Sequence, residues 1–409
     1  MKNGIIKIDR DINELVFETA FLLHMCGYAF YTIPGWGIGI YYVFYVFFLG
    51  AGAYYSFLKI LRNRSLTVNS LTVWNLIFVI VAALSVLWAV SLSDTLDIAF
   101  RLFQNLITAY FLTDYVTDSG KMRRILNLTV FSVVFLAVTI LIFTPVPQWF
   151  AGVILNFFYN RNSTCGIEII GAIISLVLAF TGGEKRYYLY YLFLFFMVIL
   201  SSSRRGIITL VAVSVMVILI SSGRKHFTRN LLICLFVPVV VIAAIKSIPF
   251  LSDTIGQTMN DLIQYYFSDS TPDGSVAKRE LYVAKGIEIF LTRPLTGYGG
   301  GAFIQLFSED YGTSHYTHNN FVELLVSYGI IGFAAYYWIY PVILFKSIKG
   351  LFQKNVYKIL SFTLIVAMLI SHVGTVAFYS KTDHIYLTIA WLLPWFSYLQ
   401  NSKNLKRRN

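Results

Sequence analysis

Runs of about 20 apolar residues recur along most of this chain, each long enough to cross a hydrocarbon layer about 30 Å thick. They fall near 15–32, 37–61, 72–92, 95–116, 124–144, 163–182, 187–203, 204–221, 229–247, 321–345, 357–378 and 385–400. The pattern predicts an all-α integral membrane protein of about twelve transmembrane helices. Residues 1–247 would hold the first nine spans, 248–320 a long external loop, and 321–409 the last three spans and a cytoplasmic tail. The stretch 95–116 is the weakest, because Asp97 and Arg101 lie inside it, and a re-entrant or interfacial segment would suit it as well. Composition agrees: 13% of residues are charged, where a soluble domain carries about a quarter.

Lys and Arg cluster in alternate connections, around Lys2–Arg10, Lys59–Arg64, Lys121–Arg124, Lys185–Arg186, Arg224–Arg229, Lys346–Lys358 and Lys403–Arg408. Twelve spans put every cluster on one side, and the positive-inside rule makes that side cytoplasmic, with both termini there. The net charge of +12 therefore calls for no nucleic acid. The first apolar run follows Asp9, Asp11 and Glu14 and lacks a small-residue cleavage site, so it reads as a retained helix. Cys26, Cys165 and Cys234 are far apart and suggest neither a disulfide framework nor a metal site.

Hydrophobicity falls over 248–320, where acids outnumber bases. Within it, 276–292 predicts an amphipathic helix with Leu281, Ala284, Ile287 and Leu291 on one face, ending before Pro294. The glycine-rich stretch Gly297–Phe303 follows as a tight turn. A loop this long is unusual as a bare connection, so an ordered external subdomain is expected.

Arg204 and Arg205 stand between two apolar runs, at a helix end on the side that the charge rule disfavours. A charge at membrane depth costs about 2.5–3.5 kcal/mol and so faces a cavity, a partner or an anion. Snorkelling would explain one arginine; two in tandem point to anion binding. Arg279, with Lys278 and Arg293, adds cations in the loop. Each is equally a substrate contact or a salt-bridge partner for Glu280 or Glu288. His318 precedes Asn319 and a span, with His315 three residues earlier. No Cys or carboxylate joins the two histidines at metal-ligand spacing. A histidine at a membrane surface can take a proton from a hydroxyl.

His318-Asn319, nine residues, Gly329, two residues and Gly332 (HNNFVELLVSYGIIG) resemble the signature of the bacterial O-antigen ligase and polymerase family. Arg279, fourteen residues, then Pro294, Gly297 and Gly299 is similar to that family's loop helix and glycine turn. Ser203-Arg204 resembles its Ser-Arg step at the head of a mid-chain span, and Arg161-Asn162 a weaker Asn-containing element. Arg205 departs from the pattern, where the family often has a small residue; motif position favours Arg204. The resemblance spans about 160–332.

The resemblance implies a glycosyltransferase of the type C class, using neither nucleotide sugar nor metal, and no cofactor. The donor would be a glycan on undecaprenyl diphosphate at the outer face of the bacterial cytoplasmic membrane. A diphosphate leaving group wants fixed cations, with Arg204 and Arg279 in that role and Arg161 and Arg205 in support. His318 would be the base, with Asn319, Glu323, Gly297 and Gly299 supporting it. Polymerisation of O-antigen or capsular repeat units is the leading reading, on the wording of the His318 signature. Ligation to lipid A core or another acceptor is the alternative. A flippase and a chain-length regulator are the protein partners such a role would imply. A transporter would show paired repeats or charges near the bilayer centre, whereas this chain gathers its unusual charges at span ends and in one loop.

Overall fold

A computed structural model describes residues 11–33, 35–64, 68–145, 161–201, 203–222, 228–232 and 274–396, and every regular element among them is a helix. The span read at 229–247 lies almost wholly outside the described residues, as do 248–273 and the side chains of Arg161 and Arg204. In chain order the helices are α1 (Ile12–Thr32), α2 (Gly39–Asn63), α3 (Ser70–Leu84), α4 (Leu92–Tyr115), α5 (Ser119–Phe143), α6 (Arg161–Phe180) and α7 (Arg186–Leu200). They continue as α8 (Arg204–Ser221), α9 (Gly274–Thr292), α10 (Ala302–Tyr311), α11 (Asn320–Tyr337), α12 (Ile339–Phe352), α13 (Val356–His372) and α14 (Lys381–Leu392).

Short polar side chains set where several of these helices begin. The first N–H groups of a helix lack backbone partners, and an Asn, Asp or Ser before the first turn supplies one. Asn69 accepts from Leu71 and Thr72 at 2.9 and 3.0 Å, Asp118 from Gly120 and Lys121 at 2.7 and 3.0 Å, and Ser203 from Gly206 at 3.3 Å.

Among the described residues, five helical stretches are long and apolar enough to cross a membrane: Gly39–Arg62, Ser70–Trp88, Ser119–Phe143, Asn162–Phe180 and Asn320–Phe352. Arg186–Leu200, Arg205–Ser221 and Val356–His372 are shorter apolar helices beside them. Among the described residues the protein is thus all-helical, with the apolar helices of a multi-pass membrane protein. α1 packs on α2 and α5, α3 on α4, α6 on α7, α8 and α13, and α14 on α4 and α13. Of the stretch that sequence left open as re-entrant, 95–116, all but Val116 lies in one continuous helix, α4. Its charges are accommodated locally, Arg101 Nε bonding Asp97 Oδ2 at 2.8 Å one turn away.

The loop helix α9 packs on α11 and α10. Tyr282, Phe303, Phe307, Val322 and Val326 form a small core between them. Its amphipathic faces are disposed in an unexpected way. The face made of Leu281, Ala284, Ile287 and Leu291 is the exposed one, and Tyr282 and Gly286 face inward. Beside a membrane an apolar stripe can meet lipid, so periodicity alone does not say which face is buried.

The span read at 321–345 is interrupted twice. α11 ends at Tyr337 and α12 starts at Ile339, and Gly329 breaks α11 internally with φ 62° and ψ −165°. The backbone groups freed there bond to the turn after α9. Tyr298 and Gly299 donate to the carbonyls of Val326 and Ser327 at 2.9 and 2.8 Å, and Ile330 donates to Pro294 at 2.8 Å. A glycine is required on both sides of this crossing. A Cβ on Gly329 would lie 2.3 Å from the Leu295 carbonyl oxygen, and one on Gly297 2.5 Å from the Ser327 carbonyl carbon. The same turn is pinned to the start of α4, Val90 N–H donating to the Tyr298 carbonyl at 2.9 Å.

Candidate functional site

His318 sits in the short loop between α10 and α11 with φ 56°, in the left-handed region that few side chains adopt. Its neighbours hold it there. Asn319 caps α11, its Oδ1 accepting from Phe321 and Val322 at 2.9 and 3.2 Å. Glu323, one turn into α11 and buried, accepts from the Thr317 N–H at 3.0 Å, and the Thr317 hydroxyl lies 2.8 Å from the same oxygen. The residues on either side of His318 are therefore tied to the first turn of the following helix. Glu323 is a clamp on this loop.

Asn320 extends the tie in another direction. Its amide oxygen accepts from Ala377 and Phe378 at 2.7 and 2.9 Å, and its Nδ2 donates to the Tyr337 hydroxyl at 2.8 Å. The His318 loop is thus fastened to the turn between α13 and α14.

Aromatic rings surround the imidazole. Tyr316 lies 4.0 Å away between centroids, and Tyr282 at 5.9 Å is nearly parallel to it. Tyr282 also stacks on His315 at 5.0 Å, although His315 itself is exposed. Burial, and then the Arg279 guanidinium, hold His318 down to about 4; His315 and Arg205 push the same way. The imidazole is therefore neutral near pH 7, with a lone pair open to a proton. Arg279 makes no ion pair among the described residues: Glu288, one of the carboxylates sequence offered it, bonds Lys285 at 2.7 Å instead.

Arg205 connects this loop to a cavity of about 330 Å³. The walls come from the last turns of α1, the starts of α2, α6, α8 and α14, the end of α13 and the turn after it. These helix ends, together with the start of α11, gather at one end of the bundle. The Arg205 guanidinium lies on the cavity wall, 3.5 Å from the Ser371 carbonyl oxygen and pressed against Gly374. Its charge is felt at both His318 and Tyr316.

The residues that sequence singled out thus divide. His318, Asn319, Glu323, Arg279 and Arg205 come together around the loop and the cavity mouth. Gly297 and Gly299 are not lining residues, and their part is the backbone crossing that supports α11. Arg161 opens α6 and Arg204 opens α8, two of the helices whose first turns form the cavity, with their side chains outside the described residues. Sequence missed Arg101, Lys381 and Asp383, all on the cavity wall. Arg101 lies inside α4 beside Asp97, and Lys381 and Asp383 lie in the first turn of α14, with no motif to mark any of them. Among the described residues no three His, Cys, Asp or Glu side chains group so as to hold a metal ion.

Residues 189–337 match the O-antigen ligase family. The match begins within α7 and ends with the last residue of α11. It takes in Arg205, Arg279, His318 and the glycine crossing, while the walls given by α1, α2, α6 and α14 lie outside it. No curated protein matches the chain.

Proposed function

Because residues 189–337 match the O-antigen ligase family, we propose that the protein is a membrane glycosyltransferase whose donor is a glycan on undecaprenyl diphosphate. The observation that carries the reading is His318: a neutral histidine, clamped by Glu323 and Asn319, with Arg279 and Arg205 close enough to depress its basicity. In this reaction an acceptor sugar hydroxyl attacks the anomeric carbon of the donor. The bond from that carbon to the phosphate oxygen breaks, and undecaprenyl diphosphate leaves with the electron pair. The hydroxyl proton passes to the His318 ring. Arg279 and Arg205 face the charge that develops on the leaving group, where guanidinium forks suit phosphate oxygens. A diphosphate seated there offsets the two positive charges that hold His318 down, so the base strengthens when donor binds.

The reaction we assign is polymerisation of lipid-linked repeat units at the outer face of the bacterial cytoplasmic membrane. Both termini would be cytoplasmic and 248–320 would form an external subdomain. No metal or cofactor has a part in this scheme; a flippase and a chain-length regulator would act before and beside it.

The test is an assay with purified protein and a lipid-linked repeat unit, read as chain length. A positioned base contributes about 10²–10⁴-fold in rate, so His318→Ala should make no visible polymer while still inserting and accumulating. His315→Ala, lacking the clamp and lying outside the signature, should stay near wild type. Polymer at the wild-type rate from His318→Ala would overturn the assignment. In cells without the protein, glycan attached as single repeats marks a lost polymerase. Unattached full-length lipid-linked polymer marks a lost ligase.

A further inference from the structure

Glu323 and Asn319 fix the His318 loop to α11, but both belong to that helix or its cap. They do not set where α11 stands relative to Arg205, which lies in the first turn of α8. Asn320, the first residue of α11, makes that second tie. Its Oδ1 accepts the N–H groups of Ala377 and Phe378, and its Nδ2 donates to the Tyr337 hydroxyl at 2.8 Å. That hydroxyl lies 3.1 Å from Nδ1 of His372, the last residue of α13. The residue before it, Ser371, carries the carbonyl that sits 3.5 Å from the Arg205 guanidinium, and Gly374 lies against the same side chain. One end of α13 and the turn after it therefore hold both Asn320 and Arg205.

Asn320, Tyr337 and His372 are all buried, so each bond lost here leaves a polar atom that water cannot answer. The carboxamide is planar, and its oxygen and nitrogen sides are both engaged, toward the turn and toward Tyr337. A single rigid group thus fixes the start of α11 in both distance and rotation. The His318 ring lies two residues away and inherits that placement. The groups that face it come from three elements: Arg279 from α9, Arg205 from α8 and His315 from its own loop.

We propose that Asn320 is a positioning residue for glycosyl transfer, which sets the distance between His318 and Arg205 through the α13–α14 turn and the Tyr337–His372 pair. The inference rests on the glycosyl-transfer reading and gives the end of α13 and the turn after it, which lie outside the matched segment 189–337, a part in the site. Asn320 acts through His318 and touches neither sugar nor phosphate.

The purified full chain is assayed in detergent with a lipid-linked repeat unit. His318 is followed separately with diethyl pyrocarbonate, which acylates the neutral imidazole, the adduct being read by mass spectrometry. A misplacement of 1 Å costs about 100-fold in rate, so Asn320→Ala should lose transfer to about that extent at unchanged protein level. Tyr337→Phe keeps the ring and removes one hydroxyl, and should lose less. In wild type the acylation rate of His318 should be nearly the same at about pH 5.5 and about pH 7.5, because the ring is neutral at both. In the two variants the loop relaxes away from both arginines and toward water, and the rate should drop by up to about tenfold at the lower pH. Ser361→Ala cuts an equally buried tie elsewhere on α13, where Ser361 Oγ donates to the Ala390 carbonyl at 2.6 Å. It should keep both the transfer rate and the flat acylation profile. Transfer at the wild-type rate in Asn320→Ala overturns the inference. So does a loss confined to protein level or melting temperature with acylation still flat, the mark of a merely structural residue. If Asn320→Ala does not accumulate, Tyr337→Phe decides on the same two readouts. Each of these results leaves the function standing. Wild type that transfers no glycan overturns the glycosyl-transfer reading, and the positioning role falls with it.

Discussion

His318 combines an uncommon backbone conformation with a depressed basicity, and the two have one origin. The Thr317–Asn319 loop is drawn onto the first turn of α11, which places the ring between Tyr316 and Tyr282 and within reach of the Arg279 charge. The sign of the consequence is fixed. Burial first, and then the nearby Arg279 cation, disfavour the protonated ring, so the free protein keeps a usable base down to about pH 4. The acid limb of kcat/KM, which reports free enzyme, should fall near 4 and well below the ordinary histidine value. The limb of kcat should lie higher, because bound diphosphate offsets the arginines. An acid limb of kcat/KM near 6.5 would show that burial and Arg279 do not act on the ring in solution. Arg279→Lys tests the second partner. An ammonium keeps the charge but loses the two-pronged donor geometry, so kcat/KM should drop at least about tenfold at unchanged protein level. Full activity would make Arg279 a bystander. Both residues were legible in sequence because each belongs to a spaced motif. Lys381 was not, since a single lysine before an apolar run looks the same whether it snorkels or lines a cavity.

At the scale of elements, the decisive device is the crossing of α11 over the turn that follows α9. Apolar periodicity showed the helix and composition showed the glycine turn, but no local pattern can show that the two exchange backbone hydrogen bonds. Hence 321–345 reads as one span in sequence and is two helices in space, the first of them broken at Gly329. Gly329→Ala should be costly twice over. A φ of 62° strains any L side chain by about 1–3 kcal/mol, and the added Cβ meets the Leu295 carbonyl oxygen at 2.3 Å. Gly183→Ala separates the two effects, because its φ of 74° carries the strain with nothing within 4 Å of the new methyl. In detergent, Gly329→Ala should melt several degrees below Gly183→Ala and lose transfer activity, since the crossing supports the loop that holds His318. Equal melting temperatures in the two variants would mean that the turn yields at little cost, and would detach the glycine motif from the site.

Over the whole molecule, charge is sorted between the two ends of the bundle. At one end several cations are paired: Lys59 bonds Asp114 at 2.6 Å, Lys121 and Arg124 share Glu14 at 2.8 and 3.0 Å, and Arg123 pairs with Glu184. These residues lie where α1 and α5 begin and where α2 and α4 end. At the other end are the cavity, Arg205, Lys381, Arg279 and His318, and among the described residues none of these three cations forms an ion pair. Paired cations at one face suit a surface that only has to stay anchored, and unpaired cations at the other suit a surface that waits for an anion from lipid. The positive-inside pattern would put the paired end in the cytoplasm, which on the proposed function would leave the other end where an exported lipid-linked glycan arrives. That orientation is measurable in intact cells, with the native cysteines replaced by alanine. A cysteine at Ser314, exposed in the loop before His318, should react with a membrane-impermeant maleimide. One at Gln353, exposed in the turn between α12 and α13, should react only after the cells are opened. The reverse labelling would put His318 and the cavity in the cytoplasm, facing away from any donor presented outside. The chemistry argued for the site could then still hold, but its substrate would have to be made and used on the inner face. Labelling of both positions in intact cells would remove the span count between them, and with it the argument that one end of this bundle faces a different compartment from the other.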